Sequence, residues 1–426
     1  MRQAVTLLHR WFGLGAALFL FIAGITGAVI SWDHELDDWL NPHLHESRAE
    51  GPALDALTAA RLAEARDPRL RVTYLPLAAE PGETLSLFGV PRVDPVTGRL
   101  FEMEYNQLFL DPVTGEEVGR RLWGQVWPIT SETLISFLYK LHYSLHIPEI
   151  GGIDDWGVWL MGIVALGWTI DCFGGFYLTL PTRRAAGAKG DGGRSWLSRW
   201  APAWKIKTGA SAYRVNFDIH RAFSLWTWAL LFILAFTSFS LNLYREAFMP
   251  LMTLVSQPTP TPFDLRKPAP KHQPIEPKIS FADAVALGAA EAARRGWAEP
   301  AGAVSYSPAF GFYAVRFFHA GEDHGAAGVG PARLYFDGID GRYLGDRVPW
   351  AGTAADIFIQ AQFPLHSGRI LGLPGRIMIS IMGIVVAAVS ITGVVIWWKK
   401  RKSRLTTRAP KTMGGQTAGI SQQPAE

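Results

Sequence analysis

The sequence predicts an α-helical membrane protein with four transmembrane helices in two pseudo-repeats and two extracytoplasmic α+β domains. Three observations carry that expectation: four long apolar segments, basic residues gathered on one side of them, and an internal repeat that starts at His9 and again at His220. The composition agrees. Of 426 residues, 49% are hydrophobic and only 18% charged, against about a quarter charged in ordinary globular domains. A net charge of +4 is too small for a nucleic-acid binder, so the expected partner is the lipid bilayer and not nucleic acid. With one cysteine, Cys172, the chain can form no intramolecular disulfide, no four-cysteine iron–sulfur cluster and no C-x-x-C-H haem attachment.

Trp11 to Trp32 carries no charge, and at about 1.5 Å per residue it spans a hydrocarbon core of about 30 Å. It lacks the A-x-A-like exit of a cleaved signal peptide and is expected to be retained. The second span is Trp156 to Leu180, interrupted by Asp171; the third is about Ala222 to Tyr244 and the fourth about Ile377 to Trp398. Four spans put both termini on one side. Arg2 and Arg10, then Arg183, Arg184, Lys189, Arg194, Arg199, Lys205, Lys207 and Arg214, then Lys399, Lys400, Arg401 and Lys402 mark that side as cytoplasmic by the positive-inside rule. The expected location is therefore an inner membrane, multi-pass, with N- and C-termini cytoplasmic.

The chain then divides into a first transmembrane helix (1–32), a first outer domain (33–140), a second transmembrane helix with a preceding His segment (141–181) and a cytoplasmic loop (182–219). A third transmembrane helix (220–244), a Pro-rich linker with a second outer domain (245–363), a fourth transmembrane helix with its own His segment (364–398) and a cytoplasmic tail (399–426) complete it. The eight prolines from Pro250 to Pro277 suggest a stiff, extended tether. The loop is expected at the membrane surface, and the tail from about 403 to be disordered.

The repeat is regular. Seventeen residues after His9 and His220 come Thr26 and Thr237, and twenty-six after each come Glu35 and Glu246. Each half then has a similar turn between β-prone residues, LFLDPVTGEEVG at 108–119 and LYFDGIDGRYLG at 334–345, and returns to the membrane through a His-bearing segment.

His9 and His220 begin spans that both run outward, so they share the cytoplasmic face. His142, or His146, and His366 precede spans that run inward and share the outer face. Neutral imidazoles on facing helices can hold haem iron in a bundle core, so the two pairs predict two non-covalent haem b groups per chain. His142 and His146, four apart, are expected to share a helix face, one as ligand and the other beside it or near a propionate. His34, His43, His45, His272, His319 and His324 are expected at the solvated surface. An ionisable residue within a span costs at least about 2.5–3.5 kcal/mol unless it faces a bundle or cavity. Asp171 should therefore point inward, either as a proton or cofactor contact or as a carboxyl bonded to a neighbouring helix. Arg10 and Arg221 adjoin the inner ligands and are candidates for their surroundings.

The residues LHRWFGLG with ITG in the first span, Glu35 to Pro42 as E-x-x-x-x-x-x-P, LHYSL followed by YLTLP-T-R-R at 177–184, IHRAFSLW at 219–226, and LHSGRILGLPGR followed by ITGVVIWWKKRK resemble the PepSY-associated transmembrane-helix family over about residues 7–402. That family consists of iron-regulated inner-membrane proteins that include ferric-siderophore reductases. The resemblance implies PepSY-like outer domains and b-type haem held by His9, His142, His220 and His366. The chain departs from the pattern with DCFGG at 171–175 and with His146.

On that resemblance the expected function is a haem-dependent oxidoreductase: an electron from an unidentified cytoplasmic donor crosses the membrane and reduces a periplasmic ferric siderophore. Hard siderophore oxygens hold Fe(III) far better than the softer Fe(II), so reduction releases the metal. The alternative is a non-enzymatic PepSY-domain membrane protein that binds a peptide or ligand, inhibits a protease or acts as a sensor. A permease is disfavoured, because four spans show no discontinuous-helix signature.

Overall fold

The computed structural model describes residues 1–182 and 195–408, with side chains to 402. Arg183, Arg184, Lys189 and Arg194 of the basic loop, and the tail beyond Arg408, lie outside the described residues. The chain opens with α1 (Arg2–Ile30), then α2 (Asp33–Leu40) and α3 (Pro42–His45). The first half of the sheet region follows as α4 (Ala56–Arg66) and strands β1 (Leu70–Pro76), β2 (Leu85–Pro91), β3 (Gln107–Leu110) and β4 (Glu117–Arg121). The chain re-enters through α5 (Ser131–Ser144) and α6 (Trp156–Thr179), and α7 (Trp196–Trp200) precedes the second half.

That half repeats the order: α8 (Ala212–Trp226), α9 (Trp228–Asn242), the short α10 (Met249–Thr253) and α11 (Pro262–Leu265), and α12 (Phe281–Arg295). Strands β5 (Ala301–Ser307), β6 (Phe312–Phe317), β7 (Ala332–Asp337) and β8 (Tyr343–Arg347) lead to α13 (Ala354–Ser367) and α14 (Leu373–Arg408). Residues 403–408 thus continue α14 where the sequence suggested disorder.

Among the described residues three helices are long and apolar enough to cross a membrane: Arg2–Ile30, Trp156–Thr179 and Leu373–Lys402. The expected third span differs from them. Its helix breaks at Thr227, and α8 and α9 meet at 73°, passing the same test only as a bent pair. The fifteen residues of α9 reach about 22 Å, short of a core of about 30 Å. The two halves also differ in polarity. Asp218 is fully buried and bonded to Arg214 Nε at 3.0 Å and Arg221 Nη2 at 2.7 Å, a polar cluster that suits a helix lying across the end of the bundle. Gly24 and Gly383 let α1 and α14 touch: a Cβ on Gly24 would come to 2.6 Å from the Gly383 carbonyl oxygen, the close approach that small residues permit between membrane helices. Gly24→Leu should therefore cost about 1–3 kcal/mol by overpacking, read as a lower melting temperature in detergent.

The eight strands form one antiparallel sheet in the order β4-β3-β2-β1-β5-β6-β7-β8. The two expected domains are thus joined at their first strands, with Tyr74 opposite Ser305, Leu75 opposite Val304 and Pro76 opposite Ala303. Pairing β1 with β5 satisfies two edges that would otherwise present open backbone groups. A single core lies on one face, where Ala59 and Ala63 of α4 and Ala284 and Ala292 of α12 pack on Leu70, Leu87, Val304, Val315 and Leu334. The alternation of β6 sends Tyr313, Val315 and Phe317 into this core and Phe312 and Ala314 into a second cluster on the opposite face. Phe263 of α11 packs on that second cluster, its ring 4.8 Å from that of Phe312. The Pro-rich segment does not hang free: Ala269 N–H bonds Ala309 O at 2.8 Å, Ile275 N–H bonds Pro308 O at 2.8 Å, and Lys271 pairs with Asp154 at 2.7 Å.

Asp37 joins the bundle to the sheet. Arg121 of β4 donates to both its oxygens, at 2.8 and 2.6 Å, Asn41 Nδ2 donates at 2.8 Å, and His45 Nε2 donates at 3.2 Å. His45 is therefore an interior partner, its ring 5.0 Å from that of Phe109, and not the surface residue expected. The repeated Glu35 pairs with Arg376 of α14 at 2.7 Å; this guanidinium holds its carboxyl down to about 2. The matching Glu246 accepts from Trp159 Nε1 at 2.9 Å.

Candidate functional site

The structure brings the four span-end histidines together in the two pairs that the topology predicted. The rings of His9 on α1 and His220 on α8 have centres 6.3 Å apart, and those of His142 on α5 and His366 on α13 are 5.9 Å apart. The pairs sit at opposite ends of the bundle. Seventeen residues of α1 separate His9 from Thr26, which touches the second pair, so the two sites are about 25 Å apart along that helix.

Each imidazole is anchored through Nδ1. Thr26 Oγ1 and Ala23 O lie 3.1 and 3.0 Å from His142 Nδ1, Thr237 Oγ1 lies 3.0 Å from His366 Nδ1, and Thr392 Oγ1 and Val389 O lie 3.1 Å from His220 Nδ1. The three threonine hydroxyls donate back to their own helices, to Ile22 O, Ile233 O and Ala388 O at 2.7–2.8 Å. Each Oγ1 therefore faces its histidine as an acceptor. Carbonyls and carboxylates can only accept as well, so Nδ1 carries the proton at every site and the Nε2 lone pair is left bare.

This is the arrangement of metal-ligating histidines, whose other nitrogen donates to a fixed acceptor. Gly27, next to Thr26, makes room for the ring: a Cβ there would come to 2.9 Å from His142 Cε1. The same Ile-Thr-Gly triplet recurs at 391–393, where a Cβ on Gly393 would sit 3.3 Å from His220 Cε1.

Asp171 occupies the fourth seat. Both its carboxylate oxygens are 2.9 Å from His9 Nδ1, the place that Thr392 holds beside His220. Of the two readings of this residue, the carboxyl bonded to a neighbouring helix is what the structure has, and the group it holds is a candidate ligand. Cys172 packs against the cluster of Leu231, Leu234 and Met382.

The remaining candidates lie elsewhere. His146 does not share a face with His142, because α5 ends at Ser144 and Leu145 and His146 both take positive φ, 54° and 52°. Its ring stacks on Phe137 with centres 4.5 Å apart, and Nε2 donates to Phe137 O at 2.8 Å. Arg10 lies over the Trp11 ring at 5.1 Å, and Arg221 is bound to Asp218 and to Pro202 O; neither bonds an inner histidine. The three threonines that orient the rings were visible in the sequence only as the seventeen-residue repeat and the recurring Ile-Thr-Gly.

An imidazole nitrogen binds a transition metal at about 2 Å, so two rings on opposite sides of one iron have centres roughly 6 Å apart once the ring radius is added. Both pairs meet that spacing. Among the described residues no three His, Cys, Asp or Glu converge on a metal site.

Apolar helices of membrane-spanning length, capped by a sheet at one end, define a multi-pass membrane protein. The chain belongs to the family described as PepSY-associated TM region, which matches residues 6–400. A comparison with curated proteins finds no match.

Proposed function

We propose that the protein is a four-span inner-membrane electron carrier that holds two b-type haems, one between His9 and His220 and one between His142 and His366, and reduces a ferric siderophore at its sheet-bearing face. The observation that carries the reading is the shared design of the four histidines, each with Nδ1 anchored and Nε2 bare, in pairs spaced for one iron. A haem ligated by two imidazoles supplies one-electron transfer at a potential set by its ligands and their surroundings. The chain's own work is to orient the rings, and Thr26, Thr237, Thr392 and Asp171 do so. On this reading α8 and α9 together form the third of four spans, the two halves of the sheet are PepSY-like domains, and the basic ends of α1 and α14 face the cytoplasm, where a reductant meets the His9–His220 pair. At the other face the acceptor is Fe(III) in hard oxygen ligands, which bind Fe(II) weakly.

The test is the colour of the purified protein. A reduced-minus-oxidised spectrum should show b-type haem, with two haems per chain by pyridine haemochrome assay. A protein without a Soret band would overturn the reading and favour ligand binding or sensing by the outer sheet.

Asp171 adds a second expectation. A carboxylate on Nδ1 makes an imidazole a stronger base than a hydroxyl does, which favours ferric iron and lowers the potential of that site below the other. Electrons then run downhill toward the sheet. Redox titration of Asp171→Asn should show one of two midpoints rising and the other unmoved; equal movement of both would refute this role.

A further inference from the structure

Three arginines stand side by side on adjacent strands of the second half. Arg316 of β6 is the register partner of Arg333 of β7, and Arg333 is the partner of Arg347 of β8. Like charges directly opposite each other destabilise a sheet, and among the described residues none of the three has a carboxylate ion pair. The contrast with their neighbours is sharp, since Arg71, Arg121, Arg266 and Arg295 all do. Arg333 Nε is moreover buried with no hydrogen-bond partner, and burial together with Arg333 holds the Arg316 guanidinium below its ordinary value.

Arg316 and Arg333 line a cavity of about 250 Å³ with Tyr74, Asp323, His324 and Phe363. Arg316 lies 5.1 Å from the centre of the Tyr74 ring, and Asp323, the one carboxylate in the lining, is turned toward His324 at 3.4 Å. Phe363 is on α13, one helical turn before His366. The cavity therefore lies between the sheet and α13, the helix that carries His366.

We infer that Arg316 and Arg333 form an anion-binding subsite that takes a carboxylate-bearing small molecule, which on the reductase reading is the anionic arm of a ferric chelate presented to the outer site. Two guanidiniums from paired positions on neighbouring strands offer the forked donors that suit carboxylates, and a bound anion would relieve the repulsion between them. The volume lies below that of pockets for whole drug-sized ligands, about 300–1,000 Å³, so it fits a charged arm and not an entire chelate. The choice of chelate rests on the proposed electron transfer; the anion site does not.

Citrate is the probe. Thermal unfolding of the detergent-purified full chain should shift upward with citrate, and Arg316→Gln or Arg333→Gln should weaken its binding at least tenfold. Without citrate these variants should be as stable as wild type or more so, because a like charge has been removed; a purely structural arginine would give the reverse. In reduction assays the same variants should lose ferric citrate as a substrate and retain a cationic ferric trihydroxamate. Citrate binding with no reduction of either chelate would uphold the subsite and sink the reductase reading, and reduction of both chelates alike by wild type and variants would do the opposite. The inference is overturned if citrate does not shift wild type, if it shifts the variants equally, or if Arg333→Gln loses haem in place of citrate, which would assign the arginines to a haem propionate.

Discussion

If the protein carries haem as proposed, His366→Ala should remove half of it and leave the rest spectroscopically intact, and His9→Ala or His220→Ala should remove the other half. The rings belong to two sites at opposite ends of α1, about 25 Å apart, with no side chain in common, so each variant acts locally. On that reading the surviving imidazole would keep its anchor but lose its partner, and one ring alone would be too weak to hold a low-spin haem. Either loss should abolish reduction of an impermeable ferric chelate by a reductant on the far side of the membrane. Only the His9 and His220 variants should still let chemically pre-reduced protein be reoxidised by that chelate. If His9→Ala and His366→Ala emptied the same site, the pairing argued from the ring distances would be wrong.

The second large effect concerns stability. Asp37 and Arg121 are 12% and 5% exposed in their side chains, and truncating one partner of a buried, hydrogen-bonded ion pair costs about 3–5 kcal/mol because the other charge is left uncompensated. Asp37→Ala should lower the unfolding midpoint by an amount in that range, whereas Asp37→Leu with Arg121→Met should recover most of it. Burial alone would push the Asp37 carboxyl up, but hydrogen bonds from His45 and Arg121 outweigh it and hold the group below its ordinary value. A depressed carboxyl contributes stability above its unfolded-state value and loses it as the pH falls toward the folded one. The wild-type chain should therefore lose stability on acidification below about pH 4, and Asp37→Ala should lose less over the same interval.

What the sequence disclosed and what it hid have separate physical causes. The first, second and fourth apolar segments were legible because uncharged runs of that length have few other uses, and helices Arg2–Ile30, Trp156–Thr179 and Leu373–Arg408 contain them almost entirely. The histidine pairs were legible because His9 and His220 share a repeat and topology put each beside its partner. The break at Thr227 was not: hydropathy counts Ala222 onward as apolar and is blind to Asp218 and Arg221, which pair within α8 and bond Lys207 N–H and Pro202 O of the preceding segment. Nor was the exclusion of His146, since Leu145 adopts a left-handed conformation that only glycine would have advertised. The union of β1 with β5 joins residues more than two hundred positions apart, and alternation along a strand says which face is buried without naming its neighbour.

The β1–β5 seam and the histidine pairs have one thing in common: each is built from both halves of the chain. His9 and His142 come from the first half, His220 and His366 from the second. A ligand that needs both rings of a pair binds only when the halves are together, so it acts as a tie between them. By mass action it strengthens their union by about 2.7 kcal/mol at a concentration a hundredfold above its dissociation constant. Assembly of the two halves and loading of the two sites are then one linked equilibrium, with the seam closing it in the sheet and the paired imidazoles closing it within the bundle.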